Sequence, residues 1–83
     1  MKILVVEPMK TPTVQEIDGS LRSMQELVGG TIQAVYPFDD PVALVCNDEG
    51  KLLGLPWNRA LTDDHGVPYD IVCGTFFVVG IGD

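Results

Sequence analysis

Eighty-three residues make one compact domain, 1–83, and a chain this short buries only about 60% of its unfolded surface. A 46% hydrophobic and 20% charged composition excludes disorder, while 12 acids against five bases give a net charge of −7. Lys2, Lys10, Arg22, Lys51 and Arg59 are dispersed, so the basic stripe that a nucleic-acid polymer or an anionic membrane requires is missing.

Lys2–Glu7 (KILVVE) is a continuous apolar run, which predicts an interior strand covered on both faces. A turn signal at Met9–Pro12 leads into Val14–Ile17 (VQEI), whose alternation predicts a half-buried strand and a hairpin. Asp18-Gly19-Ser20 supplies cap chemistry for a helix, SLRSMQELV. Leu21, Met24, Leu27 and Val28 share one face of it, and Gly29-Gly30 stops it.

Thr31–Tyr36 alternates again, with Ile32, Ala34 and Tyr36 on one side. Val42–Cys46 (VALVC) is a second interior-strand run. Asn47–Gly50 predicts a hairpin turn into a short strand, Lys51–Leu53. The segment GLPWNRAL (54–61) fits neither period, and Thr62–Pro68 is rich in turn residues. Tyr69–Cys73 and Thr75–Val79 read as strand, with Gly74 as a bulge or bend. The expected fold is α+β: a small, β-rich, mostly antiparallel sheet of five to six short strands with one helix packed on it. A domain this small gains stability by burying leftover apolar surface in a homo-oligomer.

The initial apolar run is too short for a signal peptide, and no stretch approaches the roughly 20 apolar residues of a membrane span. A cytoplasmic protein is expected. Cys46 and Cys73 lack CxxC spacing and sit in apolar runs, favouring buried reduced thiols. Such thiols make poor nucleophiles, Ser20 and Ser23 have no nearby base, and the acid pairs 39–40, 48–49 and 63–64 all sit in turn signals. No catalytic residue is therefore assigned, and no enzyme activity is expected. Asp63, Asp64, His65 and Asp70 contain oxygen and imidazole ligands, but their spacing matches no metal motif; no metal and no cofactor are assigned. Glycine-rich phosphate loops are also missing, since Gly29-Gly30 ends a helix and Gly80-Ile81-Gly82 lies near the C-terminus, where fraying is expected.

GLPWNRAL places an aromatic ring (Trp57), an amide (Asn58) and a guanidinium (Arg59) side by side. That trio has the chemistry for base stacking and phosphate recognition. The same residues also suit a packed corner, with Trp57 on the core, Asn58 as a cap and Arg59 paired to an acid. The direction of Trp57 separates the two.

The segments VEP, MQELVGG, YPFDDPVALVCNDEGKLLGLPWNRAL and YDIVCGTFF together resemble a family of small uncharacterised domains. Its members occur in Gram-positive gut bacteria, their phages and their mobile elements. Asn-x-x-Gly-Lys, Leu-Pro-x-Asn-Arg and Gly-Thr-Phe are the more specific segments, the second covering Leu55 to Arg59. The resemblance brings no established chemistry and names no catalytic residue. It implies an accessory protein of mobile DNA, acting by withholding a small signalling nucleotide or by occluding a host protein, sometimes through DNA mimicry.

The leading expectation is a non-enzymatic protein that binds and sequesters a small anionic ligand, such as a nucleotide immune signal, as a homo-oligomer. Arg59 pairs with phosphate, Asn58 with base or ribose, and Trp57 or Tyr36 stacks; Asn47, Lys51 and Thr75 lend polar contacts. Long-range repulsion from the −7 charge is screened over about 8 Å, so it slows encounter more than it prevents binding. The alternative is an acidic interaction module, an inhibitor or adaptor of a host protein, presenting its paired loop acids to a basic partner.

Overall fold

The computed structural model describes residues 1–81, so of the Gly80-Ile81-Gly82 segment Gly82 lies outside the described residues. The first apolar run forms β1 (Lys2–Val6), which turns back into β2 (Thr13–Glu16) with Leu4 opposite Val14. Helix α1 (Leu21–Val28) follows, capped as its sequence requires. Ser20 Oγ accepts the Ser23 amide at 3.1 Å, and Gly29 adopts a left-handed φ of 80° so that its N–H reaches the Gln25 carbonyl. Next come β3 (Ile32–Val35), β4 (Val42–Asn47), β5 (Trp57–Thr62), β6 (Pro68–Cys73) and β7 (Phe76–Gly80).

Five strands make one antiparallel sheet in the order β2-β1-β7-β4-β3, and β5 and β6 make a separate hairpin. The expected α+β, β-rich, antiparallel architecture is borne out, with seven strands among the described residues in place of five or six. Both continuous apolar runs are interior strands: β1 lies between β2 and β7, and β4 between β7 and β3. Alternation sends their side chains to two cores. On one face Ile3, Val5, Val45 and Phe77 meet Val28 of the helix, with Met24 and Leu27 beside it. On the other, Val6, Leu44, Cys46 and Phe76 are covered by Val72 of β6 and by Leu61 of β5. The domain is therefore three layers deep, helix, sheet and hairpin.

Two sequence expectations between β4 and β6 are corrected. Lys51–Leu53 is not a strand: residues 48–54 form consecutive turns, with Leu53 N–H donating to the Glu49 carbonyl at 2.9 Å and Leu55 N–H to Gly50 at 3.0 Å. No strand lies alongside to take up the extended form, and Leu52 and Leu53 face solvent. Conversely, the patternless 57–62 segment is β5. A bulge explains why its period was hidden, because one extra residue, Asn58, separates the pairs Trp57↔Cys73 and Arg59↔Val72.

Candidate functional site

The bulge decides what Asn58 does. With its side chain turned down onto the sheet, Asn58 Nδ2 donates to the carbonyls of Val6 and Gly74, both at 2.8 Å. Those two bonds use both hydrogens of the amide, which leaves it no donor for a base or ribose. Its Oδ1 accepts from Arg59 at 3.0 Å. Arg59 also donates to the Asn58 carbonyl at 3.0 Å and to the Lys10 carbonyl at 3.1 Å, so the guanidinium ties β5 to the β1–β2 turn. Every one of these partners is neutral, and among the described residues Arg59 has no carboxylate within ion-pair distance. Trp57 is 74% exposed, so the ring does not cap the core.

The remaining candidates lie elsewhere. Tyr36 is exposed just past β3, at the opposite edge of the sheet from Lys10; three strand spacings of about 4.8 Å separate β1 from β3. Asn47 is buried, donating to the Val28 carbonyl at 3.2 Å and accepting the Glu49 amide at 2.7 Å. It thereby ties β4 to the end of α1, and a Cβ on Gly30 would stand 2.9 Å from its Nδ2. Thr75 lines a small cleft of about 300 Å3 together with Pro8, Glu26 and Leu55, and no cation lines it. Trp57, Asn58 and Arg59 remain together, and Thr75 follows Gly74, whose carbonyl Asn58 holds; Asn47 and Lys51 line a different cleft, and Tyr36 is not among its lining residues.

Lys51 belongs to a cleft of about 450 Å3 between the β3 side of the sheet, the 48–52 turns and β6. Val35, Cys46, Leu61 and Val72 give it an apolar floor, and Asp48, Glu49, Lys51 and Asp70 are its charged residues. Lys51 Nζ is paired with Asp70 Oδ1. That hydrogen bond holds the Asp70 carboxyl below its ordinary range and pushes the lysine above its own. The side chains of Asp48 and Glu49 have no ion-pair partner among the described residues, so the cleft carries a net negative charge. Of the cleft residues, sequence leaves Gln33 unmarked, reads Asp48 and Glu49 as one of three loop acid pairs, and weighs Asp70 only beside Asp63, Asp64 and His65. The acid pair was visible, but only the sheet order places it beside β3 and β6.

Both cysteines are free and buried, and burial pushes the Cys46 thiol up, away from the reactive thiolate. The Asp63–Val67 loop is a self-contained turn. Asp63 Oδ1 accepts the amides of His65 and Val67 at 2.8 and 3.0 Å, which engages that oxygen in holding the turn. Among the described residues no group of three or more His, Cys, Asp and Glu side chains converges on a metal-sized site. No helix among them is long and apolar enough to cross a membrane.

No curated protein and no solved structure matches the chain. One family model does, over residues 1–83, and the chain belongs to that family, DUF3846, a domain of unknown function.

Proposed function

We propose that this domain is a non-enzymatic interaction module, an inhibitor or adaptor that docks a basic partner on its acidic cleft. The observation that carries this reading is the chemistry of that cleft: an apolar floor, three carboxylates and one lysine already paired with Asp70. Such a cavity repels a phosphate and attracts a cation with an apolar stem. The test is a pull-down from the host lysate with wild type and the Asp48→Asn, Glu49→Gln double variant. Capture that weakens with salt and with the double variant supports the reading. Capture indifferent to both refutes it.

A second reading keeps a small anion at the Trp57–Arg59 surface, on a specific ground. In a chain with 12 acids, Arg59 is oriented by neutral oxygens and has no carboxylate partner among the described residues, two positions from an exposed indole. A site this open needs a second wall, which a homo-oligomer supplies. Native mass spectrometry with a nucleotide panel tests it; a bound nucleotide lost in Arg59→Ala supports it, and an empty protein removes it.

A further inference from the structure

Strand β3 is an outer strand of the sheet, and four features distinguish its free edge. Its four residues, Ile32–Val35, include no charge and no proline, the usual guards against strand addition. The other outer strand, β2, ends in Glu16 and follows Pro12. The β3–β4 ladder also fixes which backbone groups are free. Asp48 N–H donates to the Thr31 carbonyl at 2.9 Å, in register with Ile32↔Asn47 and Gln33↔Cys46. Bonded and non-bonded pairs alternate, so Gln33 and Val35 bond to β4 while the N–H and C=O of Ile32 and Ala34 point away from the sheet. Finally, Gln33 and Val35 themselves line the 450 Å3 cleft. A residue added opposite either of them shares its face and sends its side chain over that cleft.

We infer that the β3 edge and the cleft form one peptide-docking surface, on which an extended basic segment of a partner protein adds as a sixth strand and lowers one lysine or arginine into the cavity. The inference rests on the interaction-module reading and specifies its geometry. Backbone bonds to Ile32 and Ala34 supply affinity that is independent of sequence, and the cleft supplies selection. The stem of the incoming side chain lies on Val35, Cys46 and Leu61, and its charge meets Asp48, Glu49 and Asp70. Lys51 already demonstrates the chemistry, since its own ammonium sits on Asp70. A second copy of this chain is the poorer occupant: it carries −7, and its own β3 brings no cation.

The test uses the full chain and a fluorescein-labelled hexapeptide, Thr-Val-Lys-Val-Thr-Val, against the same peptide with norleucine for lysine. Fluorescence anisotropy should show the lysine peptide binding more tightly, with the difference shrinking at high salt. Amide exchange should slow at Ile32 and Ala34 when it binds. Asp70→Asn should weaken binding roughly threefold, as for an exposed charge pair. Lys51→Met should strengthen it by freeing Asp70, a change of opposite sign that a general loss of fold does not produce. Ala34→Pro should abolish binding: its N–H makes no bond to β4, and proline is tolerated on that side of an edge strand. If Ala34→Pro fails to fold by circular dichroism, the exchange at Ile32 and Ala34 decides alone. Three results overturn the inference: butylamine binding as well as the peptide; Ile32 and Ala34 protected by self-association without peptide; or no lysine preference. If a basic host protein is captured but leaves both amides exchanging freely, this docking mode fails and the broader reading survives. If no partner is captured either, both fail.

Discussion

Asn58 reaches across 52 residues of chain to donate to the carbonyl of Val6, fastening the β5–β6 hairpin to the end of β1. The same amide holds Gly74, where the chain leaves the hairpin for the central sheet. A side chain that read as a ligand contact in GLPWNRAL is thus the fastening between two layers.

Replacing Asn58 with alanine leaves the Val6 and Gly74 carbonyls without that donor in a partly buried place. Urea unfolding should show a loss of about 1–3 kcal/mol. Asn58→Asp should cost more, since a carboxylate would face two carbonyl oxygens.

Phe77 is fully buried between β1, β4 and the helix, whereas Val14 lies on the outer strand β2 and is exposed. Phe77→Ala should therefore destabilise by about 3–5 kcal/mol. Val14→Ala should stay within about 0.5 kcal/mol. Equal losses at the two positions would contradict the layer assignment.

Asp18 accepts hydrogen bonds from the Ser23 hydroxyl and the Ser20 amide at the start of α1, which lower its pKa from 3.8 to about 2. A carboxylate depressed on folding contributes stability that is complete above its unfolded value and lost as pH falls toward the folded one. Thermal melts of wild type should lose part of their stability as pH falls from 4 through 2, a loss that Asp18→Asn does not share, and the two should converge below about pH 2.

Gly50 has no room for a side chain, because a Cβ there would stand 2.7 Å from the Cys73 carbonyl oxygen. Gly50→Ala should cost about 1–3 kcal/mol. It should also loosen the cleft wall, read as faster amide exchange over 48–55.

Trp57 stands free in the single chain, so its fluorescence should be solvent-shifted and readily quenched by acrylamide. Protection from quenching that grows with protein concentration would mark an interface at this ring. Protection on adding a nucleotide would favour the anion reading over the docking module.

The elements that sequence disclosed are those whose local chemistry and tertiary role agree. Ser20 and Gly29 bound α1 because cap geometry is local, and the runs at β1 and β4 announced interior strands because both faces of each are covered. Sequence failed where the determinant was distant. Asn58 interrupts the alternation of β5 in order to reach Val6 and Gly74, which no window of the sequence contains. Leu52 and Leu53 carried a strand signal but found no partner strand and remained in turns. The trio at 57–59 stands out in the sequence, but the distant carbonyls of Val6, Gly74 and Lys10 that engage its amide and guanidinium do not.

The strand order has a consequence for how the domain comes into being. β7, the last strand, lies between β1 and β4, which have no pairing to each other without it. While the chain is being made, the β1–β2 and β3–β4 hairpins can form early but must wait, apolar faces uncovered, until residues 76–80 have left the ribosome. Closure then joins the two ends of the sequence in one step, the long-range kind of contact that folds in milliseconds to seconds. A truncation before Phe76 would leave the β1–β2, β3–β4 and β5–β6 hairpins without the strand that joins the first two into one sheet, prone to associate with whatever apolar surface is near.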